Sequence, residues 1–273
     1  MTFSLKLLTQ PIVYVNANWS LIFQFAKREL LAEHKGSLFG NFWLVAQPLL
    51  LMSVYTFVFS QIYNGSYGII EDETNIHYAI GIFIGITILH LFNDTLAVAT
   101  HTISGNPNFV KKVVFPLEVL PIAVVLRNLY KFSISFILIF LAIVFLLESI
   151  PSTAFWFPLI IVSSVLLSTG TAWILSAVGV YFRDVSTLIQ IGSLCMLWLS
   201  GVFYSARDIP PAAWNILKYN PVLLNIEIAR DILLWGNTPN WIWFGYSFSS
   251  SFIVFLIGFW LFRTLKPTFA DVL

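Results

Sequence analysis

Charged residues are scarce in this chain. Asp, Glu, Lys and Arg make up 10% of its 273 residues, against about 25% in ordinary soluble domains. Hydrophobic residues make up 58%, and the mean hydropathy is +0.85. Polar surface is too limited to keep such a chain soluble, so we expect lipid to surround most of it. The net charge of +1 provides no basic field for nucleic acid, and we expect no such partner.

The sequence also lacks the residues of most catalytic and cofactor sites. Its single cysteine, Cys195, excludes an intrachain disulfide and is expected to be a small buried hydrophobic residue. There is no G-x-x-x-x-G-K-[ST] loop for nucleotide phosphates, no Cys/His metal spacing and no G-x-S-x-G turn. There is also no Asp-rich cluster for a magnesium diphosphate. We therefore expect no cofactor or metal in this chain and, for a pump, energy from ions or from another polypeptide.

The hydrophobic residues are grouped into six stretches. A transmembrane helix needs about 20 predominantly apolar residues, and we expect spans near residues 42–63, 77–100, 121–148, 155–182, 185–203 and 241–262. The first span is expected to serve as an uncleaved insertion signal, because no signal-peptide pattern precedes it. The sequence therefore predicts an all-α membrane protein with six transmembrane helices.

Two further segments are predicted to meet the membrane without crossing it. Residues 18–34 carry apolar side chains at helical spacing and are too polar to span, so we expect an amphipathic helix in the interface. The long loop 204–240 holds short apolar stretches around Trp214 and over 223–234, which we expect to be re-entrant helices. The predicted organisation is an N-terminal cytoplasmic segment over 1–41, a six-span domain over 42–264 and a cytoplasmic tail over 265–273.

Lys and Arg residues predict the orientation, because they collect in cytoplasmic segments. Eleven of the 14 Lys and Arg residues lie in segments of one kind. These segments precede the first span, run from the end of the second span into the first turns of the third, or follow the fourth or the sixth span. The three exceptions, Arg207, Lys218 and Arg230, share the loop 204–240. We therefore expect this loop on the outer side and both chain ends in the cytoplasm.

A polar stripe runs along the second predicted span. His90, Asp94 and His101 are separated by four and seven residues and so share one helical face. One interpretation is a proton relay or a polar channel lining. We favour the other, in which a polar face at interface depth packs against Arg127 or Lys131 of the third span, because the stripe lies toward the cytoplasmic end.

Aromatic residues make up 17% of the chain. Many lie where aromatic belts form at the membrane surface, but others lie inside spans or beside the long loop. These candidates for a substrate channel are Tyr55, Phe59, Trp198, Phe203, Tyr204, Trp214 and Tyr219. Aromatic rings stack on the apolar faces of sugars, so they suit a polysaccharide conduit, and they also suit plain core packing. Composition alone leaves both interpretations open.

Four segments in order resemble ABC-2 type permeases that export polysaccharides. They are KRELLAEHKGSLFGNFWLVAQPLLLMSVYTFVFS (27–60), NPNFVKKVVFPLEVLP (106–121), YFRDV (181–185) and YNPVLLNIEIARDILLWGNTP (219–239). Two positions depart from the family pattern. Phe39-Gly40 replaces its Leu-Gly pair, and His34-Lys35 replaces its Arg-Tyr.

This resemblance implies a function and a set of partners. Such permeases form homodimers and pair with two copies of a separate ATPase, which holds the ATP and magnesium that this chain lacks. Together they export a lipid-linked O-antigen, capsular polysaccharide or teichoic acid across the bacterial inner membrane. The resemblance thus makes the chain a permease subunit rather than an enzyme, with membrane lipids and a lipid-linked polysaccharide as further partners.

The resemblance also points to the regions that meet the ATPase. The helix at 18–34 and the loop at 104–120 are expected to contact it, and the segment 207–235 is expected to cap the channel. The candidate contact residues are Lys27, Arg28, Phe109, Lys111 and Lys112.

Other functions remain open from the sequence. An ABC-2 exporter of small hydrophobic molecules would share the fold without needing an aromatic tunnel. A membrane-embedded prenyl or glycosyl transferase would need clustered acids on the cytoplasmic side, where Glu29 and Glu33 are the only close pair. A passive scaffold or channel would work without any ATPase.

Overall fold

The backbone is helical, as expected for a chain that must satisfy its own hydrogen bonds in lipid. The computed structural model describes residues 2–33, 38–63, 65–148 and 150–273, and no strand occurs among them. The α-helices are α1 (Thr2–Ala17), α2 (Trp19–Glu33), α3 (Trp43–Thr56), α4 (Asn75–Thr102), α5 (Pro107–Lys111), α6 (Val119–Leu146), α7 (Phe157–Tyr181), α8 (Val185–Leu199), α9 (Pro211–Leu217), α10 (Pro221–Leu233), α11 (Trp241–Leu265) and α12 (Phe269–Val272). A π-helical turn, Phe57–Ile62, continues α3 directly.

Four segments of the described chain are long and apolar enough to cross a membrane. They are Asn75–Thr102, Val119–Leu146, Ser152–Tyr181 and Trp241–Val272. These match the second, third, fourth and sixth predicted spans. The helices in the first and fifth predicted spans, Trp43–Phe59 and Val185–Leu199, are apolar but shorter. α8 is 15 residues long, about 22 Å, because the turn that follows it ends the helix before Phe203.

Side-chain caps explain where several helices begin. Asn220 precedes α10 and accepts from the backbone N–H of Val222 at 3.0 Å, and Pro221 then occupies the first helical position. Asn240 does the same before α11, where it accepts from the N–H of Ile242 at 3.2 Å. These caps satisfy backbone donors of the first helical turn, which have no partner within the helix itself.

Small residues allow the long helices to approach closely around α7. A Cβ atom added at Gly258 of α11 would lie 2.2 Å from the carbonyl oxygen of Gly170 on α7. A Cβ atom added at Gly179 would lie 2.2 Å from the carbonyl oxygen of Thr100 at the end of α4. Only glycine fits at these crossings. Such close packing matters because lipid provides no hydrophobic driving force for the association of helices.

The N-terminal segment differs from its prediction in two respects. α1 was not predicted, and it packs against α2 and α11. α2 forms where the amphipathic helix was predicted, over Trp19–Glu33, and His34 lies outside the described residues. Its residues Ile22 and Ala26 are buried in the protein, so part of the apolar stripe of this helix packs inward. Phe23 and Trp19 remain exposed.

One buried carboxylate joins both ends of the chain to the start of α6. Glu118 is 1% exposed, and its Oε2 accepts from the hydroxyl of Tyr14 and from Nζ of Lys266, both at 2.8 Å. Nε of Arg263 lies 3.7 Å from Oε1. The backbone carbonyl of Glu118 accepts from Nε1 of Trp173 at 3.1 Å. α1, α6, α7 and the end of α11 are therefore fixed to one another at this residue.

At the crossing of α7 and α11, even a glycine-to-alanine substitution should lower the stability of the fold. We expect Gly258→Ala to lower the thermal unfolding midpoint in detergent, because the added methyl group meets backbone and overpacking costs about 1–3 kcal/mol. The matched control is Gly245→Ala in the same helix, where a Cβ atom meets nothing within 4 Å. That variant should unfold at the same temperature or slightly higher, because alanine favours helix. Equal effects of the two substitutions would contradict the packing described for α7.

Candidate functional site

Five of the seven aromatic residues predicted for a channel lie together. The rings of Phe59 and Phe203 stack with centroids 4.1 Å apart. Tyr55 and Trp198 each lie 5.4 Å from Phe203. The hydroxyl of Tyr204 donates to the carbonyl of Trp198 at 2.6 Å and fixes the fifth residue beside them. We call Tyr55, Phe59, Trp198 and Phe203 the aromatic cluster.

The aromatic cluster is built from two lightly packed elements. Tyr55 and Phe59 come from α3 and the π-helical turn that follows it, and Trp198 and Phe203 come from the end of α8 and the next turn. A π-helical turn inserts a residue into the helical register and often marks a functional position. Trp198 is 57% exposed in the single chain, so the cluster has an open face.

The other two predicted channel residues pair elsewhere. Trp214 lies 6.2 Å from the ring of Trp243, and Tyr219 lies 5.7 Å from the ring of Tyr246. The hydroxyl of Tyr246 also donates to the carbonyl of Tyr219 at 3.3 Å. Both partners belong to α11, so the sequence grouped residues that the fold divides between two places.

A buried arginine holds the turn that presents Phe203. Arg230 of α10 is 1% exposed, and its guanidinium donates to the carbonyls of Val202 and Tyr204, both at 3.3 Å. The same guanidinium forms an ion pair with Glu227 one turn earlier. Glu227 in turn accepts from the N–H of Ala206 at 3.0 Å. The carbonyls of this tight turn are thereby satisfied by one charged side chain.

Two tyrosines complete the contacts around Arg230. The hydroxyl of Tyr67 donates to the carbonyl of Val202 at 2.7 Å, and the hydroxyl of Tyr78 donates to the carbonyl of Phe203 at 2.8 Å. The Arg230 guanidinium lies 4.2 Å from the centre of the Tyr67 ring, within cation–π range. Burial raises the pKa of the Tyr67 hydroxyl, which keeps it a donor. We call Tyr67, Tyr78, Glu227 and Arg230 the Arg230 cluster.

Glu73 fixes the loop that carries Tyr67. Its carboxylate accepts from the backbone N–H groups of Tyr67 and Gly68, both at 2.8 Å, and from the hydroxyl of Ser66 at 3.1 Å. Gly68 has φ +61°, which favours glycine at this bend. The loop between the π-helical turn and α4 is therefore part of the support for the aromatic cluster.

The polar stripe of α4 is divided between two clefts. His90 and Asp94 lie 3.4 Å apart, and Nζ of Lys131 lies 4.0 Å from Asp94 and 2.7 Å from Glu33 of α2. This agrees with the interpretation that the stripe packs against the third span. His101 lines a different cleft, beside Arg183 and the C-terminal residues. The arrangement does not support a continuous relay through the three residues.

The residues predicted to contact an ATPase lie on one surface, with one difference. Lys27, Arg28, Lys111 and Lys112 are exposed. Phe109 is half-buried instead, and its ring packs 5.5 Å from Phe25 and 4.8 Å from Phe115. The exposed apolar residues of this loop are Val113 and Val114, which are 56% and 105% exposed.

We call this region the α2–α5 surface and define it by residues 25–28 and 109–115. The guanidinium of Arg28 lies 4.3 Å from the Phe25 ring, so α2 and the loop form one unit. Nearby on α2, burial raises the pKa of the Glu29 carboxyl, although Arg127 and Arg28 oppose the shift. No pattern in the sequence favoured the two valines, because exposed valines in a loop carry no periodic signal.

Histidine, acidic and cysteine side chains are the metal-binding types present in the described residues. No group of three or more His, Cys, Asp or Glu side chains there is arranged to hold a metal ion. Cys195, expected to be buried, is exposed on α8. The expectation was wrong for the single chain because the rest of the chain covers little of α8, which has no buried residue.

Comparisons with known proteins agree with the resemblance seen in the motifs. Residues 20–234 match the ABC-2 type transporter family. The O-antigen export system permease protein RfbA of Klebsiella pneumoniae is 26% identical over 257 residues, which cover 93% of this chain and 95% of that protein. RfbA of Myxococcus xanthus is 26% identical over 207 residues, 74% of this chain and 76% of that protein. The polysialic acid transport protein KpsM of Escherichia coli is 24% identical over 100 residues, 37% of this chain and 39% of that protein.

Substitutions in the Arg230 cluster should lower the stability of the fold by an amount that depends on charge pairing. We expect Arg230→Met to lower the unfolding midpoint strongly, because breaking a buried ion pair by removing one partner costs about 3–5 kcal/mol. Adding Glu227→Gln should recover part of the loss, because the unpaired buried charge is then gone. Thermal unfolding in detergent and hydrogen exchange of the amides at 200–206 measure both effects.

The control for this series is Arg207→Met. Arg207 is exposed on the same loop, and a surface substitution changes stability by about 0.5 kcal/mol or less. If Arg230→Met and Arg207→Met behaved alike, Arg230 would not be what holds the turn.

Proposed function

The chain belongs to the ABC-2 type transporter family, and we propose that it is the transmembrane subunit of an exporter of a lipid-linked polysaccharide in the bacterial inner membrane. The observation that carries this proposal is the match over 93% of the chain to an O-antigen export permease. O-antigen is therefore the favoured substrate class. A partner ATPase supplies the energy, since permeases of this kind hold no nucleotide site.

We propose six crossings, with α3 and α8 as the first and fifth. α3 and its π-helical turn form a continuous helix from Trp43 to Ile62, about 30 Å long at the α-helical rise. α8 is shorter and crosses with local thinning of the bilayer. α9 and α10 are too short to cross and return to the outer side, and α10 is buried against α4, α7 and α11. Both chain ends then lie in the cytoplasm.

We propose a homodimer whose seam runs along α3 and α8. α8 exposes Leu188, Ile191 and Trp198 along one side, at 65%, 56% and 57%. α3 and its π-helical turn expose Val54 and Phe57 at 58% and 61%. The aromatic cluster lies where these two elements meet. Two copies that join here would place an aromatic cluster from each on the path of the polymer, whose sugar faces stack on rings without a fixed order.

The single cysteine offers a direct test of this seam. Cys195 is one turn from Ile191 and from Trp198 and so shares their exposed side of α8. We expect a short bis-maleimide to join two chains at Cys195 in native membranes, which doubles the 31.0 kDa mass on a denaturing gel. Cys195→Ser should abolish the product.

A relocated cysteine controls for random collision in the bilayer. Ile137→Cys in the Cys195→Ser background places the thiol on α6, where Ile137 is 57% exposed. This protein should stay monomeric on the gel. Equal cross-linking from both positions, or none from Cys195, would exclude a seam along α8.

The physical path from an ATPase to the seam starts at the α2–α5 surface. ATP shifts the equilibrium only if the ATPase binds this surface differently in its two states. The loop of this surface leads directly into Glu118 and α6, and Lys131 of α6 is paired with Glu33 of α2 at 2.7 Å. A movement of the surface is therefore passed to α1, α6 and α11 together, and opens the seam while the lipid of the substrate stays in the bilayer.

Charge reversal tests whether the α2–α5 surface engages the ATPase. We expect Lys111→Glu with Lys112→Glu to abolish polysaccharide export and to leave membrane insertion intact, because both side chains are exposed. Surface polysaccharide is measured in a strain deleted for this gene and complemented with each variant. The uncomplemented strain should trap polymer on the cytoplasmic face.

Glu71→Lys with Asp72→Lys is the matched control, because it reverses two adjacent exposed charges in the loop between α3 and α4, away from the α2–α5 surface along the chain. Its export should match that of the unmodified protein. Normal export from the double variant at 111 and 112 would refute the assignment of this surface.

A further inference from the structure

A cleft between α3, α4 and α6 has no role in the proposed transport path. Its deeper part is lined by apolar side chains, among them Trp43, Leu51, Phe83 and Phe132. Its rim is polar and includes His90, Asp94 and Lys131. An apolar interior with a polar rim suits a molecule that has a hydrocarbon chain and a polar headgroup.

Polar atoms inside the cleft lack partners within the protein. Thr87 lines the cleft and is 5% exposed, and its hydroxyl has no hydrogen-bond partner among the described residues. Pro48 lies within α3 and has no N–H to donate to the carbonyl of Leu44, which also lines the cleft. A buried hydroxyl without a partner is unfavourable. A polar group of a ligand in the cleft would satisfy the hydroxyl of Thr87.

The rim carries charges of both signs in equal number. Nζ of Lys131 lies 2.7 Å from Glu33 and 4.0 Å from Asp94, and Nε of Arg127 lies 4.0 Å from Glu33. Asp94 also contacts His90 at 3.4 Å. The side chains of Lys131, Asp94 and His90 are 25%, 39% and 49% exposed, so they remain open to a ligand. Asp94 and Lys131, an acid and a base that both line the cleft, disfavour a purely anionic ligand and complement a group that carries both charges.

We propose that this cleft binds a zwitterionic phospholipid with a primary ammonium headgroup, such as phosphatidylethanolamine. The ammonium donates to the carboxylate of Asp94, and the phosphate accepts from Lys131 and His90. An acyl chain fills the apolar part of the cleft. The lipid thereby packs α3 against α4 and α6, and it supports the helix that carries Tyr55 and Phe59.

Binding to the isolated, delipidated full chain in detergent tests this proposal. Native mass spectrometry compares phosphatidylethanolamine, phosphatidylcholine and phosphatidylglycerol with matched acyl chains. We expect phosphatidylethanolamine to bind at least about tenfold more tightly than either, the factor that one hydrogen bond to a charged group provides. Phosphatidylcholine keeps the positive charge without its N–H donors, and phosphatidylglycerol lacks the positive charge.

Two variants locate the site. Asp94→Asn keeps the shape of the side chain and should remove the preference for phosphatidylethanolamine over phosphatidylglycerol. Asp184→Asn is the control, because Asp184 is exposed in the turn before α8 and lies outside the cleft. Circular dichroism and gel filtration confirm that each variant is folded. Lys131→Gln provides a second test and should weaken the binding of all three lipids.

Three results would overturn the proposal. They are equal binding of the three lipids, an unchanged preference in Asp94→Asn, and tighter binding of phosphatidylglycerol or of a polyprenyl diphosphate than of phosphatidylethanolamine. The last result would identify the cleft as an anionic or carrier-lipid site. The measurement needs neither the ATPase nor export, so its failure is separable from a failure of the proposed transport function.

Discussion

The structure depends most on how the charge of Arg230 is neutralised inside the protein. A buried cation is tolerated only with a counter-charge and hydrogen bonds, and Arg230 obtains these from Glu227 and from the carbonyls of Val202 and Tyr204. The two carbonyls belong to the turn after α8, so neutralising the charge also fixes that turn. The position of Phe203, and with it the aromatic cluster, follows from an electrostatic requirement rather than from the packing of the rings alone.

The bundle has a tightly joined part and a loosely joined part. Polar side chains join α7, α10 and α11, where Ser247 donates to Asn225 at 2.7 Å and Asn225 donates to Ser164 at 3.0 Å. Asn128 donates to Thr95 at 3.0 Å and joins α6 to α4. α3 and α8 bury little in comparison, and both are apolar. The proposed seam between two copies fits this division, because its movable walls would lie on a rigid support.

The sequence was sufficient for features that depend on length and apolar content. Of the six spans that it predicted, four match long apolar helices. It also predicted the helix at Trp19–Glu33 and short helices in the loop 204–240 close to where they lie. It did not predict which face of α2 is buried, because Ile22 packs against residues from distant parts of the chain. It grouped Trp214 with the aromatic cluster, since composition does not distinguish a ring held by α11 from one beside α8. Arg230 was identified only by its likeness to a family motif.

The contacts of Glu118 have a consequence for folding during synthesis of the chain. Two of its partners, Arg263 and Lys266, are synthesised long after Glu118, which precedes Lys266 by 148 residues. Until they arrive, this carboxylate has only the hydroxyl of Tyr14 as a side-chain donor. This end of the bundle is therefore completed late in synthesis, and a chain cut short before Arg263 leaves the buried Glu118 carboxylate without either cation.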